Sequence, residues 1–292
     1  MRRLPRLTGI LIGITAGVLS VGAFASAVGS PAVTGGRHEA ASIPARIMPG
    51  HPLVIARAFG SASPRPVTAM TQTASSNWAG YVADAAGTRF RYVSAQFFVP
   101  YLNCSSVASG TSTYSAHWAG FDGVFDQTVE QAGIVANCTG PTPQYAAFYE
   151  KYPRGPVYSS MVLHAGDSVR ASVSFSTSTS QFQMNVTDTS DGKSFVANVT
   201  CPTGSTCDRS SAEVISEAPT SSTGAILPLA DFGAESFSQA AVTSQSGTKG
   251  GLRSTHWSTI EIHQVNGGGT VLDQPSALYQ GTTFANYWRA QS

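Results

Sequence analysis

The chain has 292 residues, of which 42% are hydrophobic and only 11% are charged, with a formal net charge of +1. A chain with so few basic residues and no basic stripe cannot neutralise a row of phosphates, which excludes a nucleic-acid-binding protein. The low charge and the 29 glycines are typical of exported β-proteins.

The first 25 residues predict an export signal. Three arginines among the first six residues precede the uncharged, mostly apolar run 9–24, and residues 23–25 place alanines at the two positions that a signal peptidase reads. A membrane anchor is the competing interpretation, but the run is short and rich in glycine and other small residues. We therefore expect residues 1–25 to be removed, leaving a secreted, extracellular protein with no membrane association.

Residues 26–74 differ from the rest of the chain in composition. They contain six prolines, four arginines and one glutamate, whereas the chain from residue 75 onward has ten Lys/Arg against fifteen Asp/Glu. A basic leader before an acidic body predicts a propeptide that pairs with the body near neutral pH and loses that attraction in acid, where carboxylates are protonated. A disordered linker fits the composition equally well.

Residues 75–292 predict one all-β domain. Apolar and polar residues alternate over 90–99 and 168–175, and a tight Asp-Gly turn at Asp191-Gly192 predicts a hairpin between strands at 181–187 and 194–200. Residues 271–288 predict one or two closing strands. Many short strands without a helical period indicate a sandwich or a barrel.

The four cysteines predict two disulfides, because they follow an export signal and lack the paired spacing of a zinc site. The short separation of Cys201 and Cys207 suggests that these two pair, which leaves Cys104 with Cys138. Three connectivities are formally open.

The common catalytic signatures do not occur in the sequence. There is no Gly-x-Ser-x-Gly, no His-Glu-x-x-His and no Gly-x-x-x-x-Gly-Lys. The four histidines after residue 75 stand apart from one another, and we interpret them as structural. Asp188-Thr189-Ser190 superficially resembles an aspartic peptidase motif but has no second copy, and it falls at the predicted hairpin turn.

Polar and charged residues do occur among aromatic ones in four segments. In a chain so poor in charge, this pattern indicates a cleft, although by itself it slightly favours the solvent-facing side of an antiparallel sheet. The segments are 117–123, 129–133, 145–153 and 211–219.

Five motifs, in order along the chain, resemble those of the glutamic peptidases, or eqolisins. They are Ser76-Asn77-Trp78-Ala79-Gly80-Tyr81, Trp118-x-Gly120-x-Asp122-Gly123, Glu130-Gln131-Ala132-Gly133, Phe148-Tyr149-Glu150-x-Tyr152-Pro153 and Ala212-Glu213-Val214-Ile215-Ser216-Glu217. The resemblance covers nearly all of the chain from Ser75 to Trp288. It implies a bent, concanavalin-like antiparallel β-sandwich of two large sheets, in agreement with the strand pattern.

The resemblance also implies the catalytic pair, Gln131 and Glu217. Glu213 and Glu217 are four residues apart and share a strand face, so alternation cannot choose between them; the choice of Glu217 rests on the resemblance. An ionised Glu217 can take a proton from a water and later return it to the leaving amine. The amide of Gln131 can donate to the oxygen that becomes negative.

No metal or cofactor is needed for this chemistry, and a glutamate with an ordinary pKa of roughly 4.3 suits acid. By resemblance Trp118 lines the substrate cleft. Four further residues are candidates for the cleft wall, with core packing as the competing role: Trp78, Asp122, Glu150 and Tyr152.

The sequence departs from the family pattern at three places. Lys151 follows Glu150 where an aromatic is usual, Val214 follows Glu213 where an aromatic is frequent, and Ala218-Pro219 follows Glu217. These changes bear on substrate preference and pH optimum more than on the reaction.

The sequence thus predicts a secreted acid endopeptidase, a monomer whose partners are protein or peptide substrates and its own propeptide. A non-catalytic, lectin-like binding module is one alternative. A glycoside hydrolase using Glu213 and Glu217 is another, but residues four apart on a strand are separated by roughly 13 Å, too far for a retaining carboxylate pair.

Overall fold

The computed structural model describes residues 47–48, 52, 55–57, 70–201 and 207–292. The predicted signal, residues 1–25, lies outside the described residues, as does most of the predicted propeptide. Apart from a single 3₁₀ turn at Cys104–Ser106, the regular structure of the described residues is β. The strands are β1 Ile47–Met48, β2 Ile55–Arg57, β3 Met70–Ser75, β4 Trp78–Asp84, β5 Phe90–Phe98, β6 Ser112–Phe121, β7 Val129–Thr139, β8 Thr142–Tyr152, β9 Arg154–Tyr158, β10 Ser168–Ser176, β11 Gln181–Asp188, β12 Ser194–Thr200, β13 Ser211–Glu217, β14 Thr220–Ser221, β15 Ala234–Ser244, β16 Lys249–Gly250, β17 Ser258–Val265, β18 Val271–Pro275 and β19 Phe284–Trp288.

The strands form two layers that share one strand. The front sheet has the order β2-β3-β17-β4-β13-β6-β7-β8-β9, and every neighbouring pair in it is antiparallel except β3 with β17. The back sheet has the order β12-β11-β10-β5-β15-β16. The first residues of β15 pair with β19 in the front layer, and its later residues pair with β5 in the back layer. The predicted sandwich of two large antiparallel sheets is confirmed, with β15 joining the two sheets.

Alternation along the strands builds the core. In β11 the side chains of Phe182, Met184 and Val186 are buried, whereas their neighbours are less so, which is the pattern of a sheet with one covered face. These residues pack with Phe97, Phe121 and other side chains of both sheets into the main hydrophobic cluster. A second buried cluster, which includes Trp78, Trp118, Phe148 and Ile215, lies on the other face of the front sheet.

The predicted hairpin, closing strands and disulfides are confirmed. β11 and β12 form the predicted hairpin, and Gly192 at its turn has φ +79°, a conformation that favours glycine. Residues 271–288 form the two closing strands β18 and β19. Both predicted disulfides are present, Cys104–Cys138 and Cys201–Cys207.

The described pieces of the leader lie against the sandwich. β1 pairs with β14, and β2 pairs with β3. Pro52 is buried, and its carbonyl oxygen accepts from Asn77 Nδ2 at 3.5 Å. The front sheet itself already includes β3, which begins at Met70. No helix among the described residues has the length and apolarity needed to cross a bilayer.

Candidate active site

The candidate site occupies one face of the front sheet, across β4, β13, β6, β7 and β8. Residues opposite each other in the pairing register share a face, as do residues two apart on one strand. Ile215, two residues before Glu217, is opposite Trp118, and Gly133, two residues after Gln131, is also opposite Trp118. The register therefore places five side chains from β4 to β8 on a single face, here called the site face. They are Trp78, Glu217, Trp118, Gln131 and Glu150.

Two glycines make room for the indole of Trp118. A Cβ on Gly133 would lie 2.6 Å from the Cβ of Trp118, and a Cβ on Gly120 would lie 3.0 Å from both Trp118 Cζ3 and Gln131 Cβ. A Cβ on Gly133 would also collide with the backbone oxygen of His117, and one on Gly120 would lie 2.8 Å from that of Glu130. A larger residue at either position would therefore displace the neighbouring strand as well as Trp118 or Gln131. The glycines in the motifs Trp118-x-Gly120 and Gln131-x-Gly133 therefore have a packing reason.

Trp118 connects the aromatic floor to the carboxylate. Its Nε1 donates to Glu217 Oε2 at 2.9 Å, and its ring meets the ring of Trp78 edge-on with centroids 5.0 Å apart. All three side chains are fully buried in the full chain. A buried N–H bond of this kind stabilises a carboxylate and fixes its orientation.

Gln131 and Glu150 form the second half of the site. They are opposite each other in the β7–β8 register, and Gln131 Nε2 donates to Glu150 Oε2 at 3.2 Å. Both are fully buried, and burial raises the pKa of Glu150 well above its ordinary value, with the charge of Glu217 adding to the rise. Glu150 is therefore bonded to Gln131 and close enough to Glu217 to sense its charge. Trp118, Gln131, Glu150 and Glu217 are called the site cluster below.

A different set of acidic residues, the loop cluster, surrounds the turn after β6. It consists of Asp122, Asp126, Glu130 and Glu213. Asp122, at φ +71°, accepts from the backbone N–H groups of Arg209 at 2.7 Å and Ser210 at 2.6 Å. Burial raises the pKa of Asp122 to about 7, and the charge of Asp126 adds to the rise.

Of the remaining members of the loop cluster, Glu130 and Glu213 are fully buried and Asp126 is partly buried. Asp126 accepts from the backbone N–H groups of Gly123 and Thr128 at 3.0 and 3.1 Å. Burial, followed by the charge of Asp122, raises the pKa of both Glu130 and Glu213 well above the ordinary value. Glu213 thus belongs to the electrostatic surroundings of Asp122, whereas Glu217 belongs with Trp118 and Glu150.

The structure brings together most, but not all, of the residues that the sequence selects. Gln131, Glu217, Trp118, Trp78 and Glu150 lie on the site face, as described above. Tyr152 packs against the hydrophobic cluster of that face. Asp122 instead binds the backbone at the start of β13.

His117 illustrates the structural histidines. It lies on the opposite side of β6 from Trp118, where its Nδ1 is 2.9 Å from Ser216 Oγ and its ring meets that of Phe232 edge-on. Burial lowers its pKa to about 3, so it stays neutral. Among the described residues, no group of three or more His, Cys, Asp and Glu side chains is placed to hold a metal ion.

Sequence reasoning did not foresee the hydrogen bond between Gln131 and Glu150. The turn Gly140-Pro141 joins β7 to β8 and pairs Thr139 with Thr142. Counting back from this turn puts Gln131 opposite Glu150, so the two-residue turn was the signal that could have revealed the contact.

Comparison with known proteins agrees with this fold. The model of the peptidase A4 family matches residues 76–284. Aspergillopepsin-2 of Aspergillus niger is 28% identical over 232 residues, which are 72% of this chain and 77% of that protein. Scytalido-glutamic peptidase, solved with a transition state analog inhibitor, has a TM-score of 0.60 and 26% identity over 73% of this chain and 98% of that one. Aspergilloglutamic peptidase from Aspergillus niger has a TM-score of 0.52 and 25% identity over 61% of this chain and 99% of that one.

The bent sandwich and the matches together define a peptide-bond hydrolase of the glutamic peptidase class. The chain belongs to the peptidase A4 family. Between a peptidase, a binding module and a glycoside hydrolase, the family supports the peptidase.

Proposed function

We propose that this protein is a secreted acid endopeptidase in which Glu217 is the general base and acid and Gln131 stabilises the oxyanion. The observation that carries the proposal is the site cluster itself. One carboxylate, fixed by an indole N–H, and one amide, fixed by a second carboxyl group, lie on the same sheet face beside Trp78.

The proposed reaction uses water and no other reagent. Glu217 takes a proton from a water molecule, whose oxygen bonds to the carbonyl carbon of the peptide. The carbonyl oxygen becomes negative and accepts a hydrogen bond from Gln131 Nε2. Glu217 then gives its proton to the peptide nitrogen, the C–N bond breaks, and an acid and an amine leave.

Peptide substrates fit the lining of this face. The indole Nε1 of Trp78 is buried and has no hydrogen-bond partner in the part of the chain that the structure describes, so it is a donor suited to a peptide carbonyl. The aromatic rings of Trp78 and Trp118 supply apolar surface for a substrate side chain. Related proteins of known structure hold peptide-based transition state analogs or a tripeptide.

We also propose that the leader is a propeptide that covers the site until it is removed. β1 pairs with β14, which begins three residues after Glu217. The Cα of Pro52 and the ring of Trp78 both lie near Gly123, at 3.5 and 2.9 Å from the position a Cβ would take there. Gln131 and Glu217 have no exposed surface in the full chain, as expected of a zymogen.

Export is supported by the two disulfides, which are typical of oxidising compartments. The basic charge of the leader gives a release mechanism, because acid neutralises carboxylates of the body and leaves the arginines charged.

The test of the catalytic proposal is Glu217→Gln. The purified wild-type chain, incubated in acid, should remove its leader and then cleave a denatured protein at acidic pH. Glu217→Gln keeps the shape of the side chain but cannot accept a proton, so cleavage should fall by at least about 10³-fold, within the range for loss of a general base.

Glu213→Gln is the matched control, since Glu213 is on the same strand, is equally buried and also exchanges a carboxyl group for an amide of the same shape. It should cleave at close to the wild-type rate. Full activity of Glu217→Gln, or loss of activity in Glu213→Gln alone, would show that the base has been assigned to the wrong residue.

A further inference from the structure

Glu150 has contacts that set it apart from a wall residue. Its Oε2 accepts from Gln131 Nε2 at 3.2 Å, while Glu150 Oε1 and Gln131 Oε1 have no hydrogen-bond partners among the described residues. The register of β7 and β8 places the two backbones directly opposite each other. The orientation of the Gln131 amide is therefore set by Glu150.

Among the residues that the structure describes, few charged or titratable groups lie around Glu150. Glu217 faces it from β13 and Tyr158 from β9, and the pKa of Tyr158 is raised by burial and by the charge of Glu150. Lys151, the next residue, points away from this face and lies 4.6 Å from the ring centroid of Phe182. No positive charge among these neighbours compensates a charge on Glu150.

The chemistry at Gln131 requires a neutral neighbour. A negative Glu150 would hold the amide N–H more strongly and would repel the oxyanion that the amide must stabilise, in a buried site where charges are poorly screened. It would also repel Glu217, since two adjacent carboxylates do not ionise together readily.

On the basis of the proposed function, we propose that Glu150 is a positioning residue that works as a neutral acid. It orients the amide of Gln131 and leaves the single negative charge of the site on Glu217. The active form then carries one proton on the two carboxyl groups, held by Glu150.

This arrangement makes a prediction for the pH profile. Activity appears as Glu217 ionises and disappears as Glu150 ionises at higher pH. The direction agrees with the raised pKa of Glu150, which keeps the proton above the ordinary range of a glutamate. The loss of activity at high pH thus reports the ionisation of Glu150, a residue that does not exchange protons with the substrate.

The first experiment is the profile of kcat against pH for wild type and Glu150→Gln. Glutamine keeps the acceptor for Gln131 Nε2 and cannot ionise. We expect kcat in acid within about threefold of wild type and an upper limb displaced by at least one pH unit. An upper limb unchanged in Glu150→Gln would overturn the proposal.

A second variant, Glu150→Leu, removes the acceptor and keeps a similar volume. We expect kcat to fall by about tenfold or more, since a misplaced oxyanion donor loses part of the 10²–10³-fold that such donors supply, with KM within a fewfold. Glu213→Gln controls for neutralising another buried carboxyl group on the same face of the sheet and should leave both limbs in place. A Glu150→Leu variant that folds, judged by near-UV circular dichroism, and keeps full kcat would also overturn the proposal.

A measurement without substrate separates this proposal from the catalytic one. The side-chain Nε2 protons of Gln131, followed by nitrogen-edited NMR of the purified chain, should shift with pH at a midpoint above the ordinary range of a glutamate in wild type. They should show no such shift in Glu150→Gln. That result supports Glu150 even if the wild-type chain cleaves nothing. The absence of a titrating shift in wild type contradicts it even if cleavage is normal.

Discussion

The site cluster and the loop cluster both contain buried carboxyl groups, yet these carboxyl groups are held in different ways. In the loop cluster, Asp122 and Asp126 accept hydrogen bonds from backbone N–H groups, which cannot be withdrawn without unfolding the turn. In the site cluster, the donors are the side chains of Trp118 and Gln131. Both clusters contain a carboxyl group with a raised pKa, so a raised pKa does not identify a catalytic group. The clusters differ in their hydrogen-bond donors, and side-chain donors are the feature that marks the catalytic one.

The largest change in the site cluster after loss of Glu217 itself should come from Gln131→Ala. This variant removes the donor for the oxyanion, and kcat should fall about 10²–10³-fold. KM should change little, because the amide acts mainly in the transition state. Steady-state kinetics on a fluorogenic peptide would measure both. A rise in KM at constant kcat would make Gln131 a binding residue.

A substitution in the loop cluster should lower the stability of the protein and leave kcat nearly unchanged. Asp122→Ala removes the acceptor of the Arg209 and Ser210 N–H groups, and a buried donor left without a partner costs about 1–3 kcal/mol. We expect a loss of about 3 kcal/mol in the free energy of unfolding, measured by urea denaturation in acid. The kcat of the folded fraction should stay near wild type. Unchanged stability with a raised KM would instead mean that Asp122 is part of the wall of the substrate cleft.

Trp118→Phe tests the hydrogen bond from Trp118 to Glu217 separately from the aromatic packing. The phenyl ring keeps most of the apolar contact with Trp78 but cannot donate to Glu217 Oε2. Loss of a hydrogen bond to a carboxylate predicts a fall in kcat of about tenfold or somewhat more, since 1.4 kcal/mol corresponds to a factor of ten. Wild-type kinetics at every pH would mean that the indole is only part of the floor.

The smallest expected effect is on the pH dependence of stability. A carboxyl group whose pKa is raised by folding stabilises the protein fully below its ordinary pKa, near 4, and this contribution is lost as pH rises through the folded value. For Asp122 that value is about 7, so wild type should be most stable in acid and lose stability towards neutral pH.

Glu213→Gln removes one of these groups. Its stability should match wild type in acid and exceed it at pH 7, because burial raises the pKa of Glu213 well above its ordinary value in the folded chain. Parallel stability curves for the variant and wild type, recorded by thermal unfolding from pH 3 to pH 8, would contradict this.

The sequence predicted the fold better than it predicted the site. Local signals were enough for the 181–200 hairpin, because Asp191-Gly192 defines its turn, and for the two disulfides. Alternation could not separate Glu213 from Glu217, since both are on one face of β13. Their difference arises from what lies across the sheet: Trp118 beside Glu217, and Asp122 near Glu213.

Contacts between neighbouring strands were not predicted from the sequence either, because they depend on how the strands pair. Glu150 was selected as a wall residue, but its bond to Gln131 depends on the register of β7 and β8. Register is a property of the pair of strands and of the turn between them. Asp122 was selected with the same motif as Trp118, although the positive φ after β6 turns its carboxyl group to Arg209 and Ser210.

The close fit of Gly120 and Gly133 around Trp118 has a consequence for attempts to change which peptides are cut. Neither position accepts a side chain, so the middle of the site face offers no place to add volume or charge. Redesign has to begin at the margins, where Tyr152 is only partly buried, or in the loops beyond β13. A library that randomises the two glycines would return mainly inactive proteins.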